Sequence, residues 1–172
     1  MKEGCKEGCE KNCLLDLSWN KIEVLEIGLF GVDSAGQGGR CSSLRNLDLS
    51  HNNIFKFPQD ALTGENIQLR FLDISFNRVT DIQNLDDHLF RYLAVLDSSH
   101  NHIQTVDLDE LENLKSLDLS VNRIENFKTV TLSKLIEADI HRNLVSEIDT
   151  SQWASLESLY LSHNRLDHLG RL

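Results

Sequence analysis

The sequence predicts an α/β solenoid: a horseshoe with a parallel concave sheet of about seven short strands and a mostly irregular convex side. Three observations carry that expectation. A motif approximating L-x-x-L-x-L-x-x-N-x-(I/V/L) recurs seven times, over 12–22, 44–54, 69–79, 93–103, 114–124, 135–145 and 156–166. Its asparagines, Asn20, Asn52, Asn77, Asn101, Asn122, Asn143 and Asn164, follow one another at intervals of 32, 25, 24, 21, 21 and 21 residues. All but the first interval lie in the range of about 20–29 residues that marks coils stacking on their neighbours. Inside each copy the Leu-x-Leu pair alternates with period two, as a short strand with one buried face does.

Each element of the motif has a physical task. In the second copy Leu47 and Leu49 point inward, and Asp48 and Ser50 are expected to stay out in solvent. No single copy can bury its apolar edge alone, so the strands must pair in parallel and close a core in which each coil touches only its neighbours. The asparagine falls where the strand ends and the chain turns inward, leaving backbone groups without ladder partners. Its amide both donates and accepts, which suits it to satisfy them as an Asn ladder. Three residues beyond each closing aliphatic stands another apolar residue, Leu25, Phe57, Ile82, Val106, Phe127, Ile148 or Leu169, expected to pack beneath the turn.

Over residues 12–172 the chain resembles the leucine-rich-repeat superfamily, and the implied fold is the leucine-rich-repeat horseshoe. The phrases Leu-Asp-Leu-Ser-His-Asn at 47–52, Leu-Asp-Ile-Ser-Phe-Asn at 72–77 and Leu-Asp-Leu-Ser-Val-Asn at 117–122 are similar to repeats of animal extracellular members. Arthropod Toll-type receptors, chaoptin-like adhesion proteins and secreted immune repeat proteins are the nearest in character.

In chain order, the first element is an N-terminal cap over residues 1–13, followed by a solenoid over 14–172. All four cysteines, Cys5, Cys9, Cys13 and Cys41, fall in the first quarter of the chain. A solenoid end exposes core to water and needs a distinct closure, which extracellular repeat proteins often pin with disulfides. Disulfides are preferred here; free thiols and a Cys-based zinc site stay open, and four cysteines allow three pairings. The long first interval contains Asp33-Ser34-Ala35-Gly36-Gln37-Gly38-Gly39-Arg40, which reads as a surface loop. The intervals of 25 and 24 residues leave room for a partly helical convex segment, and those of 21 do not. Ser98 replaces the second core leucine of the fourth copy and Ala138 the first of the sixth, with Val95 and Ile136 as large neighbours that could fill the space. The chain stops before the seventh coil completes its return, so the expectation is a solenoid truncated at its C-terminus.

Composition narrows the function. A formal net charge of −10 disfavours nucleic acid and anionic lipid as partners. No apolar run approaches the roughly 18 residues of a membrane span, and the first thirteen residues are too polar for a signal-peptide core. The segment is therefore either cytosolic or a piece whose leader lies outside it. None of the fourteen asparagines is followed two places on by Ser or Thr, which removes N-glycosylation as a sign of compartment.

Stacked strands place equivalent residues in columns about 4.8 Å apart. Between the core leucines stand Asp16, Asp48, Asp73, Asp97, Asp118, Asp139 and then Tyr160. This file reads as strand sequence whose Asp residues bond neighbouring Ser hydroxyls rather than as a cation track, since Ca²⁺ needs six to eight converging oxygens. Just before each asparagine stand Trp19, His51, Phe76, His100, Val121, Arg142 and His163, a column rich in the side chains that dominate protein interfaces. The expected partner-binding residues are Trp19, His51, Phe76 and His100 toward the N-terminus and Asp139, His141, Arg142, Tyr160 and His163 toward the C-terminus. No metal, cofactor or catalytic constellation is expected. The chain reads as a non-catalytic module binding a protein ligand or co-receptor through its concave face. The resemblance implies an extracellular or cell-surface receptor, adhesion or innate-immune fragment; an intracellular, cytoplasmic scaffold or regulatory subunit is the alternative. Oligomeric state is not legible.

Overall fold

A computed structural model describes residues 13–30, 44–62, 67–83, 85, 87–109, 111–127 and 131–167. Residues 1–12 of the expected cap over 1–13, the expected loop at 33–40, Leu169, the disulfide candidates Cys5, Cys9 and Cys41, and the side chain of Cys13 lie outside the described residues. Ten strands form among the described residues: β1 (Cys13–Asp16), β2 (Leu44–Asp48), β3 (Phe71–Asp73), β4 (Asp81–Ile82), β5 (Val95–Asp97), β6 (Thr105–Val106), β7 (Ser116–Asp118), β8 (Asn126–Phe127), β9 (Glu137–Asp139) and β10 (Ser158–Tyr160). Seven belong to one parallel sheet in the order β1-β2-β3-β5-β7-β9-β10, one strand from each motif copy.

Register follows the motif. Leu15 pairs with Leu47, Leu47 with Leu72, Leu72 with Leu96, Leu96 with Leu117, Leu117 with Ala138 and Ala138 with Leu159. A one-residue slip would turn every leucine to solvent, so the buried face holds the register. Leu47, Leu72, Leu96 and Leu117 are fully buried, together with Leu49, Ile74, Leu119 and Ile140 from the second core position. The spine thins at its ends, where Leu15, Leu17, Leu159 and Leu161 are only partly buried.

The convex side is mostly irregular. A 3-10 turn at Pro58–Leu62 occupies the 25-residue interval and a single helical turn, α1 (Asp87–Phe90), the 24-residue one. The described residues of the last three intervals contain no helix. Aromatic pairs pack on this side in both halves: Phe57 tilts against Phe90 of α1, and in the helix-free part Phe127 meets Trp153 edge-on, both at 5.7 Å between ring centroids.

Three features depart from the sequence reading. The apolar residues beyond the turn do more than pack: Ile82, Val106 and Phe127 end β4, β6 and β8, which form a second parallel sheet. Coils stacked at strand spacing bring the returning segments close enough to pair their own backbone groups. The serines after the core pair are also not solvated: Ser50, Ser75, Ser99 and Ser120 are buried at the strand ends. Finally, Ile136 is 39% exposed and does not fill the space beside Ala138, which is itself fully buried. Ser98 is fully buried, and its Oγ has no hydrogen-bond partner.

Candidate functional site

The site is built on the turn that ends each strand. Asn101 shows the arrangement: its Nδ2 donates to the carbonyls of Ser98 (3.2 Å) and Ser99 (3.1 Å) in its own coil and of Ile74 (2.9 Å) in the preceding one. Its Oδ1 accepts the N–H of Val79 at 2.9 Å. One amide thus satisfies four backbone groups and ties two coils together. Asn52, Asn77, Asn122 and Asn143 repeat the pattern. Asn164 bonds back to Ile140 and Val145, and Asn20 donates, among the described residues, to the carbonyls of Leu17 and Ser18 in its own coil.

For the carbonyls two and three residues back to converge on the amide, the residue between must turn sharply. Trp19, His51, Phe76, His100, Val121, Arg142 and His163 all adopt positive φ, from 52° to 59°. This left-handed region is uncommon for non-glycine residues and a clear strain for a β-branched one such as Val121. The same turn carries these side chains past the strand ends to the rim of the sheet.

On the first four coils that rim is a stack of rings. Trp19 lies on His51 at 3.7 Å between centroids, His51 on Phe76 at 4.2 Å and Phe76 on His100 at 4.0 Å, with planes within 12° of parallel. Flat rings rising from equivalent positions at strand spacing have room to stack and little else to pack on. The stack remains open to solvent: Trp19 is 76% and Phe76 43% exposed. It lines a shallow, open hollow of about 530 Å³ with the ladder amides Asn52, Asn77 and Asn101, His102 and Val121. His102 is part of this wall although it is not among the binding residues expected from the sequence; its place two residues beyond His100 in the same turn was the available signal.

The remaining candidates gather elsewhere. Tyr160 is the register partner of Asp139, and Asp139 lies 2.7 Å from Nδ1 of His141, whose backbone N–H it also accepts at 2.9 Å. Arg142 and His163 share the turn geometry of the rings but lie outside the stack, and Val121 separates the two groups.

The acidic file has a local task. Asp16, Asp48, Asp73, Asp97 and Asp118 each accept the N–H of the Ser two residues on, at 2.8–2.9 Å. Asp16 and Asp48 also accept that serine's hydroxyl. In exposed Asp16 the two bonds from Ser18 hold the carboxyl below its usual range. At mid-file Asp97 is different: burial pushes it up to about 6 against the bonds from Ser99, with Asp73 and Asp118 adding repulsion. Among the described residues no group of three or more His, Cys, Asp or Glu could hold a metal ion, and no helix is long and apolar enough to cross a membrane.

Comparison with known proteins follows the same lines. A family described as Leucine Rich Repeat matches residues 43–64 and 155–172, and a second of that description matches 65–82. Tsukushi of Gallus gallus is 31% identical over 173 residues, covering 87% of this chain and 47% of its own length. Osteomodulin of Rattus norvegicus is 26% identical over 163 residues, covering 90% of this chain and 36% of its own length. The chain thus spans less than half of either relative. Among solved structures, a leucine-rich-repeat protein of Leptospira interrogans superposes with a TM-score of 0.61 at 23% identity, over 90% of this chain and 44% of that one, a likeness of fold alone.

Proposed function

We propose that this leucine-rich-repeat protein, distantly homologous to extracellular animal members of that class, is a non-catalytic recognition module that binds a protein ligand or co-receptor outside the cell. Repeat domains of this class typically bind proteins, and the chain matches no catalytic family. The observation that carries the reading is the ring stack. Four aromatic side chains held open to water at one edge of the sheet add nothing to the buried core and supply the rigid, low-entropy contact area that protein interfaces use. The group of Asp139, His141, Arg142 and Tyr160 extends the surface toward the C-terminus. The extracellular relatives support placement outside the cell, in a receptor, adhesion or innate-immune protein, and the cysteine-rich N-terminus agrees with it.

Affinity capture tests this directly. The intact chain and a Phe76→Ala/Arg142→Ala variant, shown by circular dichroism to be folded at the capture temperature, are presented to extracellular fluid and to cell lysate of the source organism. A defined partner is expected from the fluid with the intact chain and not with the variant. Equal recovery of every partner by both proteins overturns the proposal, and native chain with four titratable thiols overturns the extracellular placement.

A further inference from the structure

We infer that the rim, rather than the concave floor, seats an extended peptide segment of two chemistries: an apolar block over the stacked rings and an Asp/Glu block over the arginines that continue the same edge. The inference rests on the reading of the chain as a protein-recognition module and adds which surface is used and by what.

The stack itself selects against one class of ligand. His51 and Phe76 each have both faces covered by neighbouring rings, so they offer the solvent their edges. An aromatic edge carries the positive end of the ring quadrupole and meets carbonyls, carboxylates and apolar groups well. A Lys or Arg from a partner needs a ring face, which the interior of the stack does not offer.

The cations point the same way. Beside the rings, one residue past the ladder asparagines Asn20 and Asn77, stand Lys21 and Arg78, with the uncharged Asn53 past Asn52; beyond the stack Arg123 and Arg165 continue that column and Arg142 stands just before Asn143, so that three successive coils each carry an arginine. These cations are all exposed, and neither Lys21 nor any of the four arginines is ion-paired or side-chain hydrogen-bonded among the described residues. Glu125 lines a small hollow with Arg123 and still does not pair with it. In a chain of 27 acidic and 17 basic residues, such a row of unpaired cations is segregation against the overall charge. The nearby Asp file does not neutralise it, because those carboxylates are turned onto the N–H groups of their own coils.

The two halves together favour a peptide over a sulfated glycan. A dense polyanion would gain nothing from the four-ring half and would be repelled by the net charge of −10. An extended peptide can use both halves. From Trp19 to His163 the rim climbs six coil steps, roughly 29 Å at strand spacing, or about nine residues of extended chain.

The test is selection of a phage-displayed random 12-residue library on the immobilised intact chain, followed by fluorescence anisotropy of the enriched peptides at low and high salt. Enriched sequences are expected to join an aromatic or aliphatic block to at least two acidic residues. Arg123→Ala/Arg142→Ala is expected to weaken them at least tenfold and flatten the salt dependence, and Trp19→Ala/Phe76→Ala to weaken them similarly, while Asp118→Asn leaves them unchanged. Basic or uncharged consensus sequences, no enrichment, insensitivity to the rim variants, or a heparin oligosaccharide displacing every peptide and binding more tightly would each overturn the inference. The underlying reading fails separately. A captured partner that is lost with Asp139→Asn/Tyr160→Ala but kept by the rim variants leaves protein recognition standing and removes the rim.

Discussion

The rim of the first four coils and the rim of the last three share one backbone and differ in everything mounted on it. All seven residues before the ladder asparagines have φ within a few degrees of each other, yet four carry stacked rings and three carry Val121, Arg142 and His163. Conformation at this position is therefore imposed by the asparagine beside it and not chosen by the residue that adopts it. Val121 makes the point, since a β-branched residue has no preference for a left-handed turn. A position whose geometry is guaranteed from outside is free to vary in chemistry, which is what a recognition surface requires.

The largest expected effect tests whether the two halves share their support. Asn77→Ala and Asn122→Ala each leave buried backbone groups unpaired in two coils, and each is expected to cost about 3 kcal/mol in denaturant unfolding. Unequal costs would mean that the ladder does not hold both halves alike. Next, Phe76→Ala breaks two stacking contacts and should cost about 2 kcal/mol, whereas Arg142→Ala, at the same backbone position without a stack, should stay within about 0.5 kcal/mol. Equal losses would show that the rings add no stability of their own.

The core beneath the rim supplies a smaller contrast. Ser98 places an unpartnered hydroxyl at the second core position of the spine, whereas Ala138, two coils on, places a methyl at the first. Ser98→Ala should stabilise the chain by about 1–2 kcal/mol and Ala138→Ser should destabilise it by a similar amount, read from urea midpoints. The smallest effect concerns Asp97. Its folded pKa of about 6 lies above the ordinary value of 3.8, so the native state holds this proton more tightly than the unfolded chain. The stability it confers is full below about pH 4, is lost as pH rises to about 6, and leaves a constant deficit above that. Asp97→Asn, which keeps an oxygen to accept the N–H of Ser99, should raise Tm by about 2–4 °C at pH 7.5 and by much less at pH 4. A gain independent of pH would remove burial and repulsion of the charge as its cause.

Much of this was legible in the residues. The Leu-x-Leu alternation placed Leu47, Leu72, Leu96 and Leu117 in one buried file, and the 25- and 24-residue intervals marked where the 3-10 turn and α1 could fit. The Asp-to-Ser hydroxyl bonds were foreseeable from two residues of separation; the N–H bonds that accompany them were not, because they depend on the strand ending there. Burial of Ser50 and its equivalents was missed for the same reason, since alternation stops applying where the backbone leaves the strand. The column from Trp19 to His163 could be written down, but not its stacking, which depends on coil pitch and rotamer together.

By itself the order of amino acids settled the period, the buried file and the asparagine at each turn, because these depend on spacings of a few residues along one coil. Only stacking in three dimensions decided the second sheet, the ring column, the unpaired hydroxyl of Ser98 and the raised pKa of Asp97. Each of these arises between coils, where distance is set by the pitch of the solenoid and residues more than twenty positions apart become nearest neighbours.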